Sequence, residues 1–194
     1  MGDEDLRETI VGSEILHRGR LGDFRVDTVR FSDGRESTRE IFGHPGAVAI
    51  VALDPEDRVL LVRQWRTAAG RVMLEIPAGT LDVVDPVARS IEDPDLAAPR
   101  ELEEETGYRA GTWRKLAEFW TVPGFATELM HLYLATDLRP AHGDRLGPDE
   151  DERLELVRLP WTQAVAAAEH GEISDAKSIV GLFWLARLKA AGQA

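Results

Sequence analysis

Between Arg100 and Gly107 the chain reads Arg-Glu-Leu-Glu-Glu-Glu-Thr-Gly, which places four carboxylates in five consecutive residues. On an α-helix Glu101, Glu104 and Glu105 are spaced by three and four residues and share one face, whereas Glu103 points away from it. Like charges stacked in this way repel by about 0.2–0.5 kcal/mol per pair unless something positive lies between them. A hard divalent cation that prefers oxygen ligands is one such partner. Arg100, four residues before Glu104, is another. The spacing alone therefore admits two readings: a metal site, or a solvated helix face laced by salt bridges. A second acidic run, Asp149-Glu150-Asp151-Glu152, has on charge alone the character of a solvated loop.

The elements that must position these groups are legible around them. Asp93-Pro94-Asp95 supplies an N-cap, a proline suited to a first turn and an acid near the positive end of the helix dipole, and Gly107 sits where a C′ glycine belongs. Pro99 removes a backbone donor just before Arg100, so it either kinks the helix or marks its first turn; both outcomes keep Glu101, Glu104 and Glu105 together. Upstream, Ala47–Leu53 and Val59–Val62 are rich in Val, Ile and Leu and flank Asp54-Pro55-Glu56-Asp57, the pattern of a hairpin. Val72–Ile76 is a third strand, ending at Pro77-Ala78-Gly79. The first 45 residues form short strands around the turn signal Ser32-Asp33-Gly34-Arg35. Strands return at Trp113–Trp120, Leu129–Thr136 and Leu154–Leu159, and helices at Pro160–Glu169 and Ser178–Lys189. Leu81–Asp95 and Arg139–Asp151 are long loops, and such loops inside compact domains tend to be functional.

Composition excludes several classes. Across 194 residues, 35 acidic against 23 basic side chains give a formal net charge of -12, with no basic cluster to displace counterions from nucleic acid. The absence of cysteine rules out disulfides, thiolate catalysis and cysteine-based metal sites. The acidic N-terminus has no apolar export segment, and the longest apolar run, Ala47–Leu53, is too short to span a bilayer, so a soluble cytoplasmic protein without nucleic-acid or membrane partners is expected.

The octet, with Glu92 eight positions before Arg100 and Gly79 upstream, resembles the box of the Nudix hydrolases: Gly, five residues, Glu, seven residues, Arg-Glu, an aliphatic, any residue, Glu-Glu, any residue, Gly, an aliphatic. From Glu92 onward the register matches, except that Tyr108 replaces the last aliphatic. The spacer from Gly79 to Glu92 holds twelve residues rather than five, so the loop carries a seven-residue insertion and Asp85 occupies the uninserted position. The resemblance implies an α/β fold, an α/β/α sandwich around a mixed sheet, here with an N-terminal antiparallel β-extension. It implies hydrolysis of a nucleoside diphosphate derivative with Mg²⁺ or Mn²⁺. Glu101, Glu104, Glu105 and the Ala78 carbonyl would be metal ligands, and Arg100 and Glu104 would belong to the catalytic set. In the family's chemistry, metals neutralise pyrophosphate charge and lower the pKa of bound water.

Other segments resemble the ADP-ribose pyrophosphatase group. Pro123 lies sixteen residues after Gly107, Pro123-Gly124-Phe125 is followed three residues later by Glu128, and Gln64-Trp65-Arg66 and Thr38-Arg39-Glu40 match that group's segments. By this resemblance Arg39, Arg66, Glu128, Phe24 and Gly79 would bind substrate: an arginine fork suits phosphate, a carboxylate suits ribose hydroxyls, and an aromatic ring can stack on adenine. Glu150 would be the general base and Glu152 a further metal ligand. Residues 1–45 would be a β-extension that dimerises and lines part of the substrate cleft, and residues 46–194 the catalytic domain, so a homodimer is expected. The reaction implied is hydrolysis of ADP-ribose to AMP and ribose 5-phosphate. A nucleotide sugar or NADH as substrate, and a non-catalytic ADP-ribose-binding module, are the alternatives.

Overall fold

The structure, a computed structural model, describes residues 2–85, 90–141, 146–147 and 153–194. Packing divides the chain into two units: Met1–Gly46 with Trp120–Leu129, and Ala47–Phe119 with Met130–Ala194. In the first, a short helix α1 (Asp3–Leu6) precedes three antiparallel strands, β1 (Thr9–Arg18), β2 (Asp23–Arg30) and β3 (Glu36–Gly43), paired in that order. The turn between β2 and β3 closes through the Gly34 N–H on the Phe31 carbonyl, and Gly34 takes φ 85°, a left-handed backbone that glycine adopts without a Cβ penalty. The Trp120–Leu129 segment flanks β3: the Phe42 N–H donates to the Phe125 carbonyl at 2.7 Å, and the Thr127 N–H to the Phe42 carbonyl at 3.0 Å.

The second unit contains β4 (Ala47–Leu53), β5 (Arg58–Arg66), β6 (Arg71–Glu75), β7 (Ala78–Thr80), a small ladder β8 (Val83–Asp85) with β9 (Ser90–Ile91), α2 (Pro94–Thr106), all but the last residue of β10 (Tyr108–Trp120), all but the first of β11 (Leu129–Pro140), β12 (Glu155–Pro160), α3 (Trp161–Glu169) and α4 (Ala176–Ala190). Its sheet runs β10-β11-β4-β5-β12, with β6 added to β5 and β7 to β4. β11 and β4 are parallel and β4–β5, β5–β6, β5–β12 and β4–β7 antiparallel, the mixed sheet expected of the fold. β4 and β5 pair only at Ala52–Leu60 and Leu53–Val59 before they diverge, β5 toward β6 and β4 toward β7. The chain crosses from β6 to β7 through Ile76-Pro77, and the Ile50 N–H of β4 pins the Pro77 carbonyl at 2.8 Å.

Every residue of β4 is buried, and alternate residues serve opposite faces. Ala47, Ala49, Val51 and Leu53 share a core with α3 and α4, whereas Val48, Ile50 and Ala52 pack with Ala97, Ala98 and Leu102 of α2. Helices cover both faces, so the strand is an unbroken apolar run instead of an alternating one. Leu102 is fully buried, and a leucine so placed contributes about 1.5–3 kcal/mol. That packing sets the rotation of α2 about its axis, and with it the direction of the glutamates.

Several elements differ from expectation. α2 begins at Pro94, so Pro99 is not its first turn but an exposed residue inside it. β10 begins at Tyr108 rather than Trp113, and the expected loop Leu81–Asp95 contains the β8–β9 ladder. β1 carries no sequence signal: exposed along its whole length, it has no buried face to impose alternation. No described helix is long and apolar enough to cross a membrane.

Candidate active site

Helix α2 is fixed at both ends by local chemistry. The Asp93 side chain accepts the Asp95 N–H at 3.0 Å, and Gly107, at φ 72°, donates its N–H to the Glu103 carbonyl at 2.8 Å. Arg100 then organises the acidic face. Its Nε and Nη2 reach the two oxygens of Glu92 at 3.1 and 2.7 Å, while Nη1 donates to Glu101 and to Glu104, each at 2.8 Å. Asp82 stands 3.8 Å away. Hydrogen bonding to Arg100 pulls the Glu92 carboxyl below its usual range, and the same bonds raise the guanidinium above its own. The insertion does not disturb this register. The Glu92 N–H bonds the Asp82 carbonyl at 2.8 Å, and the Asp82 N–H donates to Glu92 at 3.3 Å, which with the β8–β9 pairing returns Glu92 to Arg100.

Two glutamates are pressed onto the backbone between β6 and α2. The Ala78 N–H donates to Glu105 at 3.0 Å. A Cβ built on Gly79 would lie 1.9 Å from the Glu101 carboxyl carbon and 2.1 Å from both its oxygens, so the bare glycine is what admits that carboxylate. Glu103 points off this face, as its position requires, but it is not solvated. It is 6% exposed, bound at 2.6 and 2.8 Å by Arg109 and accepting the Leu146 N–H at 3.2 Å. Glu105 is only 8% exposed, so the face is not simply solvated, although Arg100 does lace Glu101 and Glu104 together. Glu103→Gln should therefore lower Tm by a few degrees, because one amide oxygen cannot serve both nitrogens of the Arg109 fork. Activity per folded molecule and metal dependence should stay near wild type; thermal unfolding alongside steady-state kinetics checks both.

The donor set of Glu101, Glu104, Glu105 and the Ala78 carbonyl is all oxygen, which suits a hard divalent cation, and the bare Gly79 lets the Glu101 carboxylate stand against that backbone. The residues present fit such an ion. Among the described residues no group of three Asp, Glu or His side chains already stands in metal-holding geometry. Instead Arg100 spans Glu101 and Glu104, and Glu105 turns to the Ala78 N–H.

The structure thus gathers Arg100, Glu101, Glu104, Glu105, Ala78 and Gly79. In the same unit Arg66 grips Glu75 through both carboxylate oxygens at 2.8 Å each, which raises the guanidinium pKa. Phe24, Arg39 and Glu128 belong to the N-terminal unit. There Phe24 pairs with Phe42 across β2–β3, and Arg39 bonds Glu8. Glu128 accepts from the Thr121 hydroxyl at 2.5 Å and lies 3.7 Å from His44, whose pKa burial lowers. Glu150 and Glu152 lie outside the described residues. Sequence reasoning missed Glu75: a lone acid at a strand end carries no local signal.

The NUDIX domain family matches residues 43–180. The chain belongs to the Nudix family. The matched span takes in the Nudix box, the crossing at Pro77 and the start of α4. This Nudix chain is 38% identical over 191 residues to the ADP-ribose pyrophosphatase of Bacillus subtilis (strain 168), covering 98% of each. It is 38% identical over 178 residues to the methanol dehydrogenase activator of Bacillus methanolicus, covering 92% of each. Among solved structures, an ADP compounds hydrolase matches with a TM-score of 0.79 at 27% identity, over 97% of both chains. The α/β Nudix fold with its mixed sheet and N-terminal antiparallel sheet is therefore established.

Proposed function

We propose that this Nudix chain hydrolyses the diphosphate bond of ADP-ribose to AMP and ribose 5-phosphate, with Mg²⁺ or Mn²⁺ as its ion. The observation that carries the proposal is the close meeting of the box glutamates with the Ala78–Gly79 backbone. Glu101, Glu104, Glu105 and the Ala78 carbonyl would hold the metal, joined by Glu152. Bound there, the ion supplies Lewis-acid neutralisation of the diphosphate and lowers the pKa of water. Arg100 keeps the carboxylates parted and oriented through its bonds to Glu92, Glu101 and Glu104. Glu150 would take the proton of the attacking water. Arg66, its fork set on Glu75, would meet a phosphate. The substrate-binding roles expected of Phe24, Arg39, Glu128 and Gly79 belong to the same proposal. The choice of ADP-ribose is supported by the Pro123-Gly124-Phe125 and Glu128 segment and by the similarity to an ADP-ribose pyrophosphatase.

A panel of ADP-ribose, nucleotide sugars and NADH, assayed with each metal and with product identification, tests the choice. ADP-ribose should give the highest kcat/KM, with AMP and ribose 5-phosphate as products. Faster cleavage of another compound would replace the substrate, and tight ADP-ribose binding without turnover would make the chain a binding module.

A homodimer is part of the same proposal. Ile10, Val11, Ile15, Leu16 and Leu21 of the N-terminal unit are 60, 41, 38, 53 and 52% exposed, an apolar area of the kind that protein interfaces cover. Sedimentation at micromolar concentration should give twice the chain mass of 21.5 kDa, and a mass near 21.5 kDa itself would remove the dimer.

A further inference from the structure

Beside the Ala78–Gly79 backbone lies a charged cluster outside the Nudix box. Glu75 ends β6 at 1% exposure, with its carboxylate surrounded by cations: Arg66 Nε and Nη2 at 2.8 Å each, and Lys177 Nζ at 2.5 Å. Lys177 is the second residue of α4, 9% exposed, and also reaches Asp175 at 3.0 Å. Asp175 caps α4 by accepting the Ser178 N–H at 3.0 Å and its hydroxyl at 2.6 Å. The Ser178 oxygen in turn accepts the Ile76 N–H at 2.8 Å. The start of α4 therefore holds the Glu75 side chain and the next backbone N–H, across 102 residues of sequence. Three residues after Glu75 comes Ala78, which binds Glu105.

A buried carboxylate is costly unless its lone pairs are filled, and the two-pronged Arg66 bond leaves further acceptor capacity on Glu75. Lys177 takes it up. Burial pushes the Glu75 carboxyl up, but the Arg66 and Lys177 bonds outweigh this and keep it ionised. Arg66 spends two of its five N–H donors on Glu75, and its side chain is 41% exposed, so a fixed cation faces outward. Glu105 is among the charges that raise the Arg66 pKa, which ties this cation to the box.

We infer that Lys177 is a positioning residue for diphosphate hydrolysis, acting through Glu75 to hold the Arg66 fork and the adjoining Ile76–Gly79 backbone in place. The inference rests on the hydrolase reading of the preceding section. With Lys177 removed, Glu75 is short of one donor and draws on Arg66, whose outward edge then turns from the phosphate. A lysine that did no more than neutralise buried charge would cost stability alone.

The test compares wild type, Lys177→Met and Lys177→Arg, metal-loaded and well below each Tm. Two readouts are taken: kcat and KM for ADP-ribose, and the ¹⁵N NMR signal of the Arg66 Nε–H, assigned by its loss in Arg66→Lys. Lys177→Met should lower kcat/KM about 10–100-fold, the usual scale for outer positioning groups, and should shift or broaden the Arg66 signal; Lys177→Arg should restore most of both. If Lys177→Met does not fold, Lys177→Gln, uncharged and one atom short of the Nζ that reaches Glu75, takes its place and should show the same losses. A kcat/KM unchanged in the folded variant, or an Arg66 signal unmoved, overturns the inference. A wild type that leaves ADP-ribose intact counts against the proposed substrate instead, and the kinetic comparison then uses the diphosphate that the panel shows to be cleaved.

Discussion

Gly79→Ala is expected to yield a folded protein whose hydrolysis falls about 100-fold. The added methyl would sit 1.9 Å from the Glu101 carboxyl carbon, where non-bonded carbons rest about 3.5–4.0 Å apart, so something must move by more than ~1 Å. What moves is the end of a flexible side chain, and no positive φ is needed at this glycine. Stability should therefore change little. The carboxylate, however, is displaced from a site where misplacement by about 1 Å costs about 10²-fold in rate. Gly181→Ala offers the contrast. There the new Cβ meets Val51 at 2.8 Å and Ile76 at 3.0 Å in the packed interior of the sheet, so that substitution burdens folding. Thermal unfolding and steady-state kinetics on Gly79→Ala separate the two effects; wild-type turnover would deny Glu101 a role at this position.

Glu105→Gln should lower kcat/KM on the order of 10²–10³-fold and raise the metal concentration needed for half-maximal rate. The amide oxygen can still accept the Ala78 N–H, so the 3.0 Å bond that seats the Ile76–Gly79 segment survives and the loss isolates the charge. Metal titration of the rate reads the effect. The comparison with Glu103→Gln gives it meaning, because Glu103 lies on the same helix yet binds Arg109 and the Leu146 N–H. Equal kinetic losses in the two variants would refute the division of the helix into a metal-binding face and a structural one.

What could be read from sequence was whatever local chemistry determines. Asp93, Pro94 and Gly107 fix the ends of α2 through their own backbones, and Ala47–Leu53 declares a strand covered on both faces. The shared face of Glu101, Glu104 and Glu105 follows from helical periodicity alone. The site's remaining geometry depends on distant partners. Glu92 keeps its register to Arg100 in sequence despite the insertion before it, but only the Asp82–Glu92 bonds show how the chain returns it there. Glu103 sat inside an acidic run, with nothing to mark it as buried until Arg109 folded back on it. Glu75 and Lys177 meet across 102 residues, beyond the reach of any spacing argument. Lone polar residues that become buried pairs are silent in sequence, because their meaning lies in the contact.

Crystals grown with Mn²⁺ and a non-hydrolysable ADP-ribose analogue, with diffraction recorded at the manganese edge, address the central claim most directly. Anomalous peaks coordinated by Glu101, Glu104 and Glu105 and bridging to the diphosphate are the predicted result. Peaks elsewhere, with Arg100 still spanning Glu101 and Glu104 beside a bound analogue, would contradict it.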